Sequence, residues 1–229
     1  MSLIVLSGIT KSYRDGEQRI ARVLENINLE VKAGDFIAVK GASGAGKTTL
    51  LKILGALLMP DAGKYLFDGV EMTAPTLDIP YIRNTKIGFV FQEHRLMPQY
   101  NIRENILLPA LAYGCKTSSA QNGYAQQLMD ITGIASIADK YPHAVSGGEA
   151  GRAAICRALM MKPLLVLADE PTGQLDTENA TNITSVLSDI NKTLNTTIIM
   201  VTHSDRTASV ARQILTLANG NLSALITDN

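Results

Sequence analysis

Residues 36–58 read FIAVKGASGAGKTTLLKILGALL: an apolar run, a glycine-rich loop and a second apolar run. Residues 36–40 predict a buried strand, and residues 48–58 have the apolar spacing of a helix. Between them, residues 41–48 fit the pattern G-x-x-x-x-G-K-T. Glycines in such a loop let successive backbone N–H groups curl around phosphate oxygens. The order strand, loop, helix therefore predicts a phosphate-binding loop at a helix N-terminus.

Two side chains of this loop carry chemistry. Lys47 would give a positive charge to the β- and γ-phosphates of a nucleotide, and the Thr48 hydroxyl would ligate Mg²⁺. The other positions expected to contact the nucleotide are Gly41, Ser43, Gly44, Ala45, Gly46 and Thr49. A glycine-rich turn without a ligand is the plain alternative, and the flanking strand and helix disfavour it.

A second apolar strand, residues 164–168, runs directly into Asp169 and Glu170. Charges at the end of a buried strand are costly unless they are used. We expect Asp169 to hold Mg²⁺ through water, and Glu170 to orient and deprotonate an attacking water. The alternative is that both acids only cap the strand at the surface, which the lysine loop makes less attractive.

A second glycine-containing stretch, residues 145–152, reads VSGGEAGR and precedes a helical segment without supplying a lysine. Ser146 and the N–H groups of Gly147 and Gly148 would form a second anion cradle at a helix N-terminus. Taken alone, the stretch would more often be a flexible turn capped by Ser146.

Composition restricts the class of protein. The 229 residues are 46% hydrophobic and 18% charged, with no net charge, as in an ordinary globular domain. The balanced charge argues against a nucleic-acid binder. No apolar run approaches the roughly 20 residues that span a bilayer, and we expect no signal peptide. We therefore expect a cytoplasmic chain that reaches a membrane only through a partner, with Cys115 and Cys156 as reduced thiols.

The chain divides into two kinds of segment. Strands and helices alternate in residues 1–92 and 161–229, whereas residues 93–160 contain helical stretches and no convincing strand. Apolar strands without alternation predict a mainly parallel sheet covered on both faces. The predicted strands are 3–9, 22–31, 36–40, 87–91, 164–168 and 197–202, with hairpins at 64–69 and 213–225; the predicted helices are 48–58, 101–114, 119–134, 148–161 and 177–194.

Further motifs complete a pattern: FVFQ at 89–92, ADEPTGQLD at 168–176 and VTHSD at 201–205. With the two glycine loops, and in this order, they resemble the ATP-binding-cassette ATPases over essentially the whole chain. The resemblance implies one domain of α/β class: a P-loop core, an N-terminal antiparallel β subdomain and an inserted helical subdomain. It also implies that ATP is hydrolysed to ADP and phosphate, with Mg²⁺ as cofactor.

The resemblance explains why the second loop lacks a lysine. In that family the serine-glycine-glycine loop binds the γ-phosphate of ATP held by the other subunit of a head-to-tail pair. A second copy of the chain is thus the implied partner. The residues expected to act across that interface are Ser146, Gly147, Gly148 and Glu149, with Asp176 at the dimer seam.

Single residues also match family positions. Gln92 corresponds to the glutamine that senses Mg²⁺ and the attacking water, and His203 to the histidine that contacts the γ-phosphate. Tyr13 corresponds to the aromatic residue that stacks on adenine. Each alone has a plainer explanation: a solvated glutamine, a structural histidine or a surface tyrosine. His94 and His143 are expected at the surface.

Within the family, the chain most resembles the lipoprotein-release and macrolide-efflux ATPases, on the evidence of residues 83–92, 96–111 and 167–176 and of Glu149. This implies a subunit that drives a membrane permease, with residues 92–100 receiving a cytoplasmic helix of that permease. The alternative for residues 92–100 is that they pack the helical segment onto the core. A regulatory ATPase of the cell-division type has nearly the same motifs and is the alternative function. The chain departs from the usual pattern at Val145, Ala150, Gly151, Cys156 and Gln174.

Overall fold

The computed structural model describes residues 2–15, 19–74, 77–112 and 116–224. The strands are β1 (Ser2–Asp15), β2 (Arg19–Lys32), β3 (Phe36–Lys40), β4 (Ala62–Phe67), β5 (Val70–Glu71), β6 (Ile87–Val90), β7 (Leu165–Asp169), β8 (Thr197–Thr202), β9 (Gln213–Ala218) and β10 (Asn221–Ala224). The helices are α1 (Lys47–Leu54), α2 (Ile79–Lys86), α3 (Ile102–Leu111), α4 (Ser119–Ile131), α5 (Gly147–Leu159), α6 (Thr177–Leu194) and α7 (Asp205–Ala208).

The larger sheet has the strand order β10-β9-β3-β8-β7-β6. Its strands pair in parallel except for the edge hairpin β9–β10. That hairpin turns at Asn219 and Gly220, both with positive φ, as a two-residue hairpin turn requires. Because β8 lies between β3 and β7, Lys40 pairs with Thr202 and Asp169 with Val201. The carboxyl ends of all three strands therefore lie side by side.

Both faces of this sheet are buried, which is why its strands are apolar without alternation. Ile37 and Val39 of β3 pack on one face with α1 and the smaller sheet. Phe36 and Ala38 pack on the other face with α3, α5 and α6. The smaller sheet is antiparallel with the order β2-β1-β4-β5. The predicted α/β P-loop architecture is confirmed.

Three helices in the predicted helical segment begin with the same device. At α3, α4 and α5, the side chain of the residue before the helix accepts from an N–H in the first turn, and the third helical residue reaches back. Such capping boxes satisfy N–H groups that the helix itself leaves free. The last turn of α5 rests directly on β6, because a Cβ at Gly88 would overlap the Ala158 carbonyl.

Several element bounds differ from the predictions. Helix α2 was not predicted, because none of its residues is fully buried, although Asp78 caps it by accepting from the Tyr81 N–H. Helix α4 ends at Ile131 instead of residue 134 because Gly133 has a positive φ. The end of the predicted helix 101–114 and Cys115 lie outside the described residues. Cys156 is a buried free thiol, and burial raises its pKa to about 12. No helix in the described ranges combines the length and apolarity needed to cross a bilayer.

Candidate nucleotide-binding site

A cleft of about 680 Å³ opens where β3, β7 and β8 end. It is lined by Val23, Ser43, Gly44, Gly46, Lys47, Thr48, Thr49, Gln92, Asp169, Glu170 and His203. Ten of these eleven residues were predicted from the sequence. Val23 was not predicted, because a valine in an alternating strand carries no chemical signal.

The lysine loop is folded around the ammonium group of its own Lys47. Helix α1 begins at Lys47, and its N-terminus has no side-chain cap, because the preceding residue is Gly46 at φ 100°. The Lys47 ammonium donates to the carbonyls of Gly41 (2.7 Å) and Ala42 (3.0 Å), and lies 4.0 Å from Glu170. A Cβ at Gly46 would come within 2.8 Å of the Val23 carbonyl oxygen. The loop therefore presents free N–H groups and a buried positive charge to the cleft.

Side-chain oxygen atoms that could ligate a metal ion lie together beside this loop. The Thr48 hydroxyl donates to the Asp169 carboxylate at 3.3 Å. Burial raises the pKa of Asp169, and this hydrogen bond opposes the change. Hydroxyl, carboxylate and the Gln92 amide in the same cleft are the hard oxygen ligands that Mg²⁺ prefers. Within the described residues no three His, Cys, Asp or Glu side chains form a metal cage.

Glu170 is held in an unusual conformation. Its φ is +44°, a left-handed value that costs energy in a residue other than glycine. The Glu170 N–H donates to the Val201 carbonyl at 3.0 Å, which ties it to β8. Its carboxylate accepts from the His203 N–H at 3.3 Å and lies 3.0 Å from His203 Nδ1. The strained backbone thus turns a largely buried carboxylate toward the cleft, beside a histidine.

Tyr13 lies at the edge of this arrangement. Its side chain is 42% exposed, and its hydroxyl is 3.4 Å from the Thr49 hydroxyl. An exposed aromatic ring over the start of α1 offers a flat apolar surface to a base. Residues 16–18 lie outside the described residues.

The second glycine loop does not line this cleft. Ser146 caps α5, and a Cβ at Gly148 would overlap the side-chain oxygen of Asn179. The N–H and side-chain amide of Asn179 donate to Asp176, both at 2.8 Å, and this lowers the pKa of Asp176. The predicted seam residue and the second loop therefore form one continuous surface, separate from the cleft.

A model of the ABC transporter family matches residues 24–173. The chain belongs to the ABC transporter family. It is 42% identical over 221 residues to the lipoprotein-releasing system ATP-binding protein LolD 1 of Rhodopirellula baltica, with 96% of each chain covered. It is 43% identical over 223 residues to the macrolide export protein MacB of Syntrophobacter fumaroxidans, covering 96% of this chain and 31% of that protein.

Solved structures agree with this assignment. A dimeric ATP-binding cassette in a post-hydrolysis state with ADP and phosphate superposes with a TM-score of 0.86, at 34% identity and 96% coverage of both chains. The chain is therefore the ATP-binding, ATP-hydrolysing subunit of an ABC transporter. The transporter prediction is supported over the regulatory alternative.

The ABC pattern did not reveal the environment of His94, and the expected surface position is wrong. His94 is buried at 8% exposure with φ 57°. Arg157 of α5 donates to the carbonyls of His94 (2.5 Å) and Arg95 (2.6 Å). Burial, then the Arg157 charge, lower the His94 pKa, while a hydrogen bond with the Gly147 backbone opposes this. Gly151 provides the space, because a Cβ there would lie 3.3 Å from the His94 ring.

A second feature that the sequence did not reveal fixes the His203 loop. Lys40, the last residue of β3, forms an ion pair with Asp205 two residues after His203. The hydroxyls of Thr172 and Thr207 are 3.0 Å apart in the interior. A lysine that ends an otherwise apolar strand was the available signal. These contacts join the lysine loop, the acidic strand end and the His203 loop.

Proposed function

We propose that two copies of this chain close head to tail around two ATP molecules, and that this closure drives a membrane permease. The observation that carries the proposal is the separation of two half-sites. The first loop has a lysine and an open cleft, whereas the second has a serine and two glycines at a helix N-terminus outside that cleft. A dimer brings the second loop of one copy to the phosphate held by the other.

Within each cleft, the roles follow from the contacts. Lys47 neutralises phosphate charge, and Thr48, Asp169 and Gln92 are the residues that would hold Mg²⁺. Bound there, Mg²⁺ would offset the charge of the phosphate oxygens. Glu170 accepts a proton from the attacking water, and His203 keeps that carboxylate oriented at 3.0 Å. Tyr13 stacks on the base.

Mixing two inactive variants tests the shared site. Ser146→Arg fills the second loop with bulk, and Lys47→Ala disables the first. If each site is shared, a mixed pair contains one site with both lesions and one with neither. With random pairing and independent sites, activity returns to about a quarter of wild type, because half of the pairs have one good site of two.

The same experiment has a clear opposite outcome. If the second loop served its own chain's nucleotide, every site in the mixture would carry one lesion and no activity would return. Mixed dimers are verified by pull-down with two different tags, and the unmixed variants give the baseline. No recovery with verified mixed dimers and independently acting sites would contradict the shared-site proposal.

The permease contact belongs next to Gln92. A second groove of about 570 Å³ runs between the core and the helical segment, with Phe91, Arg95 and Arg157 among its lining residues. Met97 is 43% exposed and Tyr100 38% exposed, two and five residues after the groove residue Arg95. Exposed apolar side chains beside a groove are typical of a contact site. We infer that a cytoplasmic helix of the permease lies here and holds the chain at the inner face of the membrane.

Replacing Met97 and Tyr100 together with Glu tests this contact. We expect uncoupled transport with basal ATPase within about twofold of wild type, because neither side chain is buried. Tyr141, an exposed tyrosine (45%) outside residues 92–100, provides a control as Tyr141→Glu. Loss of folding would instead mean that residues 97–100 pack the helical segment onto the core. The similarity to LolD and MacB makes lipoprotein release or efflux the transport class to test first.

A further inference from the structure

Ser146 and Glu149 form hydrogen bonds with each other at the start of α5. One carboxylate oxygen of Glu149 accepts from the Ser146 N–H at 2.7 Å and is 2.8 Å from the Ser146 hydroxyl. The Glu149 N–H lies 3.3 Å from the same hydroxyl oxygen. The loop expected to bind a phosphate thus already holds an anion, the protein's own carboxylate.

The direction of these hydrogen bonds follows from the groups. An ionised carboxylate only accepts, so the Ser146 hydroxyl must donate to it. The serine then accepts from the Glu149 N–H, and its single hydrogen is in use. To donate to a γ-phosphate, the hydroxyl has to leave Glu149, although Ser146 itself is exposed to solvent.

The charge acts in the same direction. The Ser146 backbone and hydroxyl hydrogen bonds lower the pKa of Glu149, with smaller help from Lys140 and Arg152. The carboxylate is therefore ionised at neutral pH. A negative side chain at a helix N-terminus uses the favourable potential that would attract a second anion, and it repels that anion.

We propose that Glu149 is a positioning residue that weakens the ATP-dependent dimer, because it holds the Ser146 hydroxyl and opposes the partner's γ-phosphate. The inference rests on the shared site of the proposed function and deepens it. The capping box keeps the free chain's second loop ordered, and its release is part of what dimer closure must overcome. Glu149 thereby sets how readily the two copies separate again.

The test uses Glu170→Gln as the background, so that ATP is retained. Glu149→Gln is added, since glutamine also completes a capping box but has no charge. The dissociation constant of the dimer in Mg-ATP is measured by sedimentation at about 50 mM and about 500 mM NaCl, a range that changes charge screening strongly. A separate titration measures ATP binding by the monomer.

We expect Glu149→Gln to tighten the dimer at low salt by about fivefold per site. Each symmetric dimer contains two such sites, so this corresponds to about 25-fold in the dissociation constant. The difference should shrink at high salt, and monomer affinity for ATP should not change. A purely structural role of Glu149 would give no salt dependence.

The chain offers a matched control at α3. There Asn101 and Glu104 form the same reciprocal capping box, with the Asn101 N–H donating to Glu104 at 2.8 Å. Glu104→Gln removes the same charge from the same kind of helix start outside the second loop. It should leave the dimer constant unchanged.

Three results would overturn the inference. A dimer that forms with an unchanged or weaker constant in Glu149→Gln contradicts the role of Glu149 and leaves the shared site standing. An equal gain in Glu104→Gln would show a general charge effect and contradict it as well. If no Mg-ATP-dependent dimer forms in any background, the shared site fails and the inference fails with it.

Discussion

The two glycine loops solve the same problem in opposite ways. Both lie at helix N-termini, α1 and α5, where backbone N–H groups favour anions. The first loop has no side-chain cap and a lysine whose ammonium lies over its own carbonyls. The second has a serine cap and a glutamate that occupies the N-terminus. The first is left open for a ligand, whereas the second is satisfied within the free chain.

A helix N-terminus can thus have its N–H groups satisfied in either of two ways, by a ligand or by a side chain of the protein itself. Uncapped N–H groups at α1 remain free in the absence of nucleotide. At α5 the capping box removes that need, and the loop can wait for a partner without losing order. The free chain is therefore expected to bind nucleotide through the first loop alone.

Removing the lysine should have the largest effect. Lys47→Ala leaves phosphate without its charge partner, so we expect ATPase activity to disappear and ATP affinity to fall by about a hundredfold or more. Equilibrium binding and steady-state phosphate release measure both. Lys52→Ala, an exposed lysine on the same helix, serves as the control. If ATP affinity and turnover of Lys47→Ala stayed within a few-fold of wild type, the first loop would not be the site that binds ATP through its lysine.

Glu170→Gln should separate binding from chemistry. A neutral amide cannot take the proton of the attacking water, so we expect turnover to fall by about 10²- to 10⁴-fold while ATP still binds. Size-exclusion chromatography in Mg-ATP should then show a dimer that wild type forms only transiently. A variant that stays monomeric and active would be incompatible with both the base and the shared site.

Glycines in the two loops should respond differently to a side chain. Gly148→Ala places a Cβ on the Asn179 side chain, so we expect about a tenfold loss of turnover. Shortening the neighbour with Asn179→Ala should restore most of it. Gly46→Ala has no such remedy, because its φ is 100° and the Cβ would meet the Val23 backbone. Turnover of Gly46→Ala that Val23→Ala rescues would erase this distinction.

The smallest effect concerns His94, whose side chain packs against the start of α5 at Gly147 and Gly151. Burial lowers its pKa below 6.5, so below pH 6.5 the unfolded chain binds a proton that the folded chain resists. Stability then falls as pH decreases, by at most about 1.4 kcal/mol per pH unit. His94→Gln should flatten this fall in urea unfolding between pH 7.5 and pH 5.5, values spanning about one unit on either side of the unfolded pKa. His143→Gln, at an exposed position, should not.

The sequence predicted those parts of the molecule whose chemistry is local. Strands such as residues 36–40 and 164–168 are apolar because both faces of the sheet are covered. Most of the cleft residues come shortly after such strands in the sequence, so locating the strands also located the cleft. Helix α2 was missed because it contributes no fully buried residue, although Asp78 and Pro80 mark its start. The position of His94 depends on Arg157 and Gly151, about sixty residues away, and no pattern around residue 94 contains that information.

The length of helix α5, which is buried along most of its course, determines how far a small rotation about its last turn would move Ser146. The carbonyl of Ala158, in the last turn of the helix, packs directly on Gly88. In the same turn, Arg157 donates hydrogen bonds to the carbonyls of His94 and Arg95. Ser146 stands at the other end, about 18 Å away at 1.5 Å per residue. A tilt of about 10° at the last turn therefore carries the serine hydroxyl through about 3 Å, the length of one hydrogen bond.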